Sequence, residues 1–353
     1  MEFFNSFLGV VVHLFIALVL MVYLPISLVC KLPWRIFLRP FYKEDLRGKV
    51  VLITGASSGI GEQLAYQYAE RGASMAIVAR RANALHVVAK KAREHGAPDV
   101  LVVTADISDP DQSRLAIEET IAHFGRLDHL VANAGVWSTC LFEEITNLTA
   151  FNQVMDVNFW GAVYPTYYAI PHLKKSKGKI IVNASFAGRV PTARMTFYNA
   201  SKAATIMFYE SLRSELGSDV GITLVTLGYV ASELTKGKAL QVNGELGINE
   251  EARDIQVGPL PIGSTDKCAE IIVDGACMGD KYITWPTWYK PFAMVMSLAP
   301  ELVDMFSQSF YVSKPGDDSG IPLGKKILNM KGIKELLYPD SVLSPSAKVK
   351  NKE

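Results

Sequence analysis

Residues 49–81, KVVLITGASSGIGEQLAYQYAERGASMAIVARR, limit the possible folds more than any other stretch of the chain. Val50–Thr54 is an unbroken apolar run, the pattern of a parallel strand buried on both faces. Ile60, Leu64 and Tyr68 then recur at helical spacing up to Gly72, and Ser74–Ala79 reads as a second buried strand. Strand, glycine turn, helix, strand is a βαβ unit, and such units build parallel sheets covered by helices on both faces. The expected fold is therefore α/β: a Rossmann-type doubly wound parallel sheet, preceded by a hydrophobic N-terminal segment. At 353 residues the chain is long enough for one such core with extensions.

Gly55, Gly59 and Gly61 permit a sharp turn and let the backbone approach a pyrophosphate, which then meets the positive end of the following helix. Their spacing, Gly-x-x-x-Gly-x-Gly, departs from the common Gly-x-Gly-x-x-Gly fingerprint, so the strand–turn–helix setting carries the assignment. The second strand ends at Arg80 and Arg81, where an NAD site would place a carboxylate for the ribose hydroxyls. A guanidinium there pairs with a 2′-phosphate, which predicts NADP(H) in preference to NAD(H), with Arg80 as the principal partner.

No charged residue lies between Phe3 and Cys30, and Phe3–Leu24 as a helix would be roughly 33 Å long, the hydrocarbon thickness of a bilayer. Glu2 precedes this run while Lys31, Arg35, Arg39 and Lys43 follow it, the reverse of the charge order in a cleaved signal peptide. These cations, spaced every fourth residue among apolar neighbours, suit a headgroup surface. Pro25, Pro33 and Pro40 leave two geometries open, a single span or a turn near Pro25 with a shallow return arm over residues 26–41. Both keep the following domain on the cytoplasmic side. The 36 Lys and Arg against 35 Asp and Glu give a net charge of +1, so no basic field points to nucleic acid. Four scattered cysteines without a Cys-x-x-Cys pair suggest reduced thiols and no metal site.

In TFYNASKAA, residues 196–204, Tyr198 and Lys202 stand four apart and share one helix face. A phenol titrating near pH 10 is a poor base at neutral pH unless its phenolate is favoured, which a fixed ammonium one turn away would do. A Tyr-x-x-x-Lys pair alone is a weak signal, and the rest of the chain has to decide.

TGASSGIG at 54–61, ANAG at 132–135, Asn158 in DVNFWG, Ser185 in NASFAG and YNASK at 198–202 occur together in an order and at separations that resemble the short-chain dehydrogenase/reductase family, over roughly residues 48–300. The proline-punctuated N-terminus, FGRLDHLVANAG and DIQVGPLPI resemble steroleosins, the plant oil-body hydroxysteroid dehydrogenase-like members. The resemblance implies that Tyr198 exchanges a proton with the substrate oxygen, that Ser185 hydrogen-bonds it, and that Lys202 lowers the tyrosine pKa and reaches the nicotinamide ribose. Asn158 would hold a water linking Lys202 to solvent. The cofactor-binding set implied is Gly55, Ser57, Ser58, Gly59, Ile60 and Gly61 at the phosphates, Arg80 and Arg81, Asp106 and Ile107 at the adenine, Asn133, Ala134 and Gly135 at the ribose, and Val230 and Ser232 at the nicotinamide. Asp106 equally suits a helix cap and Asn133 a backbone tie, and both readings stay open. Leu227-Gly228 stands where many members of the family read Pro-Gly.

Residues 1–43 are expected to form a membrane or lipid-droplet anchor, 44–312 the catalytic domain, and 313–353 a partly disordered tail with a short helix near Leu336. Residues 233–262 have the composition of a lid. The Met- and aromatic-rich stretch 285–310 suits an apolar pocket, a lipid contact, or core and dimer packing. The reading is a homodimeric, NADP(H)-dependent oxidoreductase on a lipid droplet or the endoplasmic reticulum, facing the cytosol. It would interconvert a secondary alcohol and a ketone on a hydrophobic substrate, a sterol or steroid. The rivals are a reductase of long-chain acyl ketones or retinoid-like carbonyls, and a droplet coat or sterol-binding protein with little catalysis.

Overall fold

A computed structural model describes residues 1–33, 43–313 and 320–343. Its chain divides into two compact units, residues 1–44 and 45–353. The first holds one helix, α1 (Glu2–Pro33). Within α1, Phe4–Ser27 is long and apolar enough to cross a membrane, with a mean hydropathy of 2.7 and none of its most apolar window buried. The turn entertained near Pro25 is not seen, since the helix continues through that residue. A proline removes one backbone hydrogen bond, and the turns on either side of Pro25 remain helical. Arg35, Arg39 and Pro40, with the second half of the expected return arm, lie outside the described residues.

The second unit is the expected doubly wound sheet. In chain order it contains β1 (Val50–Thr54), α2 (Gly59–Glu70), β2 (Ser74–Ala79), α3 (Ala82–Glu94), β3 (Val100–Thr104), α4 (Pro110–Phe124) and β4 (His129–Ala132). Then follow α5 (Asn152–Met155), a π-helical turn over Asp156–Trp160, α6 (Gly161–Ser176), β5 (Lys179–Ser185), α7 (Thr196–Leu216) and β6 (Gly221–Leu227). The seven-stranded sheet runs in the order β3-β2-β1-β4-β5-β6-β9, all parallel, with β9 (Tyr282–Trp285) at one edge. Between β6 and β9 lie the antiparallel pair β7 (Lys238–Leu240) and β8 (Leu246–Ile248), then α8 (Glu250–Val257) and α9 (Thr265–Cys277). Beyond β9 come α10 (Lys290–Leu298), α11 (Pro300–Tyr311), α12 (Leu323–Leu328) and α13 (Ile333–Leu337).

Every residue of β1 is buried, as both-face coverage requires. Leu64, Tyr68, Leu85 and Ile272 pack on one face of the sheet, and Ile117, Leu173, Tyr209 and Leu212 on the other. At the base of the sheet Asp128, 1% exposed, accepts from Val50 N at 2.9 Å and pairs with Arg126 and Lys49. The strand order reverses direction between β1 and β4, the switch point where open α/β sheets form their ligand crevice.

Residues 320–343 differ from the expected tail. Leu328, Tyr338 and Val342 are each about 2% exposed or less and join Trp137, Phe151, Met195 and Tyr198 in a third apolar cluster. Tyr338 Oη donates to Gly258 O at 3.1 Å. The polar composition of this segment hid the few widely spaced apolar residues that anchor it. The short helix near Leu336 is present as α13.

Candidate active site

Residues after the carboxyl ends of β1, β4, β5 and β6 line a single cavity of about 680 Å³. On the first of these turns Gly55 and Gly59 take left-handed backbone angles, φ 66° and 61°. A Cβ on Gly61 would lie 2.3 Å from Gly55 O, so turn and helix meet at a distance only glycine allows. Ser58, the residue preceding α2, makes no side-chain cap for that helix. Its Oγ instead accepts from Arg81 Nη2 at 2.7 Å, and Ser57 Oγ accepts from the same nitrogen at 3.0 Å. The first-turn amides of α2 are thereby left to a ligand, and the helix dipole favours an anion there. The glycine turn and Arg81 thus fit a dinucleotide phosphate.

Arg80 Nη1 donates to Asp106 Oδ2 at 3.5 Å. Burial works to raise the Asp106 pKa, but two hydrogen bonds from Ser108 and the charge of Arg80 outweigh it and hold the carboxyl below its usual value. Capping of α4 falls to Asp109, which accepts from Asp111 N and Gln112 N, so Asp106 shapes the cavity wall instead. Asn133 does tie the backbone. Its N–H donates to Thr54 Oγ1 at 3.0 Å, its Nδ2 to Thr54 O at 3.1 Å, and its Oδ1 accepts from Asn183 Nδ2 at 2.9 Å, cross-linking the ends of β1, β4 and β5.

Tyr198 and Lys202 lie one turn apart on α7, 9% and 4% exposed. The chain leaving β5 presses against this helix at Gly188, where a Cβ would come within 2.7 Å of Lys202 C, and Ser185 reaches hydrogen-bonding range of Tyr198. Burial pushes the Tyr198 pKa above the ordinary phenol value, with the Ser185 hydrogen bond opposing it. This reverses the direction expected from a neighbouring lysine. Lys202 Nζ donates to Asn183 O at 3.0 Å, sits 5.8 Å from the centre of the Tyr198 ring, and is itself pulled down to about 8 by burial. Among the protein's own groups desolvation therefore wins.

Asn158 sits in the π-helical turn, behind the cavity wall, 2% exposed. Its Oδ1 accepts from Val136 N at 2.8 Å, and its Nδ2 donates to Val136 O at 2.8 Å and Ser201 Oγ at 2.9 Å. Ser201 Oγ in turn donates to Tyr198 O at 2.8 Å. The side chain is thus committed to positioning, and a water would have to bind its main-chain carbonyl, which accepts from Thr205 Oγ1 at 3.2 Å. Every other residue expected at the site, from Ile60 and Ile107 to Ala134, Gly135, Val230 and Ser232, lines the cavity. Thr235 Oγ1 accepts from Ser232 N at 2.8 Å and donates to Val230 O at 2.9 Å, which fixes that loop.

Sequence reasoning did not single out Trp137, Met195, Tyr229, Tyr289 and Tyr311, which also line the cavity. Tyr229 Oη donates to Gln256 O at 2.8 Å, and burial raises its pKa well above that of a free phenol. A Cβ on Gly228 would lie 2.0 Å from the Tyr289 ring, so the Leu-Gly departure keeps the one glycine that this ring requires. Of the readings open for 285–310, α10 and α11 supply Phe292, Leu302 and Phe306 to the cavity.

A family model for short chain dehydrogenase matches residues 49–243. The chain is 47% identical over 348 residues to the 11-beta-hydroxysteroid dehydrogenase 1A of Arabidopsis thaliana, covering 99% of each. It is 44% identical over 354 residues to the 11-beta-hydroxysteroid dehydrogenase A of Sesamum indicum, again covering 99% of each. Among solved structures, a short-chain type dehydrogenase/reductase from Mycobacterium marinum superposes with a TM-score of 0.60 at 27% identity, over 69% of this chain and 96% of that one.

Proposed function

Because the chain belongs to the short-chain dehydrogenase family and is an NAD(P)-dependent oxidoreductase acting on CH–OH groups, we propose that it interconverts a hydroxysteroid or sterol alcohol and its ketone, using NADP(H), at a lipid surface. The observation that carries this reading is one cavity whose wall includes Arg80, Arg81 and the glycine turn, then Ser185, Tyr198 and Lys202, then the apolar side chains of α10 and α11.

When bound, the nicotinamide supplies or takes up the hydride at the substrate carbon, while the protein handles placement and the proton. The glycine turn and the α2 amides hold the pyrophosphate, and Arg80 and Arg81 pair with the 2′-phosphate. Tyr198 donates its proton to the carbonyl oxygen in reduction and takes it back in oxidation. Ser185 hydrogen-bonds the same oxygen and opposes the build-up of charge. A phenol raised by burial is protonated at neutral pH, which suits it as an acid for ketone reduction. Lys202 holds the ribose and returns protons to Tyr198 through water bound at the Asn158 carbonyl.

Support for a lipid-resident substrate comes from α1, with the relatives' names bearing on the steroid class. The setting proposed is a lipid droplet or the endoplasmic reticulum, with the catalytic unit on the cytosolic side. Exposed apolar side chains on α6 and α7, with Tyr167 71% and Met207 66% exposed, support a homodimer, and a monomer in light scattering of detergent-solubilised protein would overturn it.

The decisive experiment follows NADPH and NADH turnover by the full-length protein against steroids, sterols and long-chain ketones. Steroid-selective turnover favouring NADPH is expected, and the preference should collapse in Arg80→Ala or Arg81→Ala by about tenfold or more. Equal use of both cofactors would overturn the NADP assignment, and selectivity for acyl ketones the steroid one.

A further inference from the structure

Among the described residues the largest side chain that is fully buried is an arginine, Arg253 on α8, 1% exposed. A buried guanidinium costs free energy unless it is paired, and an apolar side chain of similar volume is often at least as stable, so stability alone does not explain it. Its Nε and Nη2 donate to Asp254 Oδ1 at 2.9 and 2.8 Å, and its Nη1 donates to Val342 O at 3.3 Å. Asp254 Oδ2 accepts from Lys334 Nζ of α13 at 2.6 Å, and Glu251 pairs with Lys325 of α12. Charged groups thus fasten α8 to residues 320–343 at three points, and Ile262 N donates to Leu337 O at 3.1 Å just beyond the helix. The last turn of α8 reaches the cavity. Gln256 is fully buried, its main-chain oxygen accepts from Tyr229 Oη at 2.8 Å, and its Oε1 accepts from Thr139 Oγ1 at 3.2 Å. Tyr229 lines the cavity on the loop that continues to Val230 and Ser232, whereas Arg253 does not touch it.

We propose that Arg253 is a positioning residue for the substrate. With Asp254 and Lys334 it fixes α8 against residues 320–343, and through Gln256 it holds the Tyr229 phenol at one place in the cavity wall. This rests on the reading above that the tyrosine-lined part of the cavity receives the substrate, and it adds what sets that wall. Apolar contact alone between α8 and residues 320–343 would bury surface yet tolerate sliding, because it has no preferred direction. A planar guanidinium with fixed donor directions instead sets both the rotation and the register of a helix only eight residues long. The effect belongs to substrate affinity and not to the chemical step, because Ser185 is carried by β5, and Tyr198 and Lys202 by α7.

The test uses the full-length protein, NADPH and the ketone of the panel above that it reduces fastest. The double variant Arg253→Met/Asp254→Leu removes the pair without leaving a lone buried charge, since the Lys334 side chain is 30% exposed. It should keep its melting temperature and NADPH affinity and raise KM for the ketone about fivefold or more, with kcat changed less than about twofold. Arg253→Lys keeps a charge beside Asp254 but lacks the fork, so its KM should fall between, and it serves alone if the double variant does not fold. An unchanged KM would overturn the proposal, as would a parallel loss of kcat and NADPH affinity, the mark of a generally loosened fold. Tyr229→Phe breaks the connection at its other end and should raise KM as well. Because both changes act on one wall, adding Arg253→Lys to Tyr229→Phe should raise KM no further, and effects that multiply would overturn the route through Tyr229. If Tyr229→Phe leaves KM unchanged, substrate does not meet this wall and the chamber reading falls with the proposal. If Tyr229→Phe raises KM while the Arg253 variants do not, only the role of Arg253 falls.

Discussion

Residues 50–135 and residues 229–343 build different parts of one cavity by different means. The first region works through backbone: glycines packed so closely that a Cβ on Gly61 would lie 2.3 Å from Gly55 O, an uncapped helix start, and an asparagine that ties three strand ends. The second works through side chains gathered from distant segments, with Tyr229 and Tyr289 in the cavity wall and Leu328 and Tyr338 buried in the apolar cluster that holds Tyr198. A phosphate site has nearly fixed chemistry and tolerates little change of backbone, whereas an apolar chamber can be filled by many combinations of side chains. The difference predicts that mutations in the two regions fail in different ways.

The largest effect belongs to the junction of the two. Tyr198→Phe should lower kcat by about 10²–10⁴-fold with the cofactor affinity retained, in steady-state kinetics paired with a fluorescence titration of NADPH. Retained turnover would remove the phenol from the reaction. Next, Tyr338→Ala should cost about 3 kcal/mol by calorimetry and raise KM for the substrate, since it empties the cluster that contains Tyr198. An unchanged melting temperature would mean that residues 320–343 do not support the site.

Glycine substitutions sharpen the contrast at smaller cost. Gly61→Ala should destabilise by about 1–3 kcal/mol and abolish tight NADPH binding, because the obstructing atom is backbone. Gly228→Ala displaces the Tyr289 ring, and should change substrate KM more than cofactor affinity. If both variants lose the cofactor equally, the two regions are not separable.

The smallest effect is in pH. Lys202 titrates near 8 in the folded protein and near 10.5 when exposed, so below about 8 it is charged in both states and its burial opposes folding. Between those values the unfolded chain binds more protons, and stability should rise with pH. The rate of ketone reduction should instead hold level below about 8 and decline above it, as the ammonium beside Tyr198 is lost. Lys202→Met should remove that decline, and a profile unchanged by the substitution would exclude Lys202 as its origin.

Much of this was legible in the residues. The apolar run of β1, the glycines at 55, 59 and 61, and the four-residue step from Tyr198 to Lys202 follow from local rules of strand, turn and helix, which depend on neighbours in sequence. The doubly wound parallel class and the family resemblance came with them. Legibility failed where the answer is a sum over neighbours in space. Pro25 was weighed as a turn but is carried within α1, and the polar stretch around Leu328, Tyr338 and Val342 concealed a packed segment.

By itself, then, the sequence determined the α/β class, the glycine turn, most of the residues that line the cavity and an N-terminal helix long and apolar enough to cross a membrane. Only the tertiary structure decided that Arg81 lies on Ser57 and Ser58 while Arg80 faces Asp106, that Asn158 stands behind the wall, and that burial raises Tyr198 instead of Lys202 lowering it. The reason is physical. Backbone geometry is dictated within a few residues, but a side chain's partners and the free energy of its charge are set by atoms that only the complete fold brings within a few ångströms.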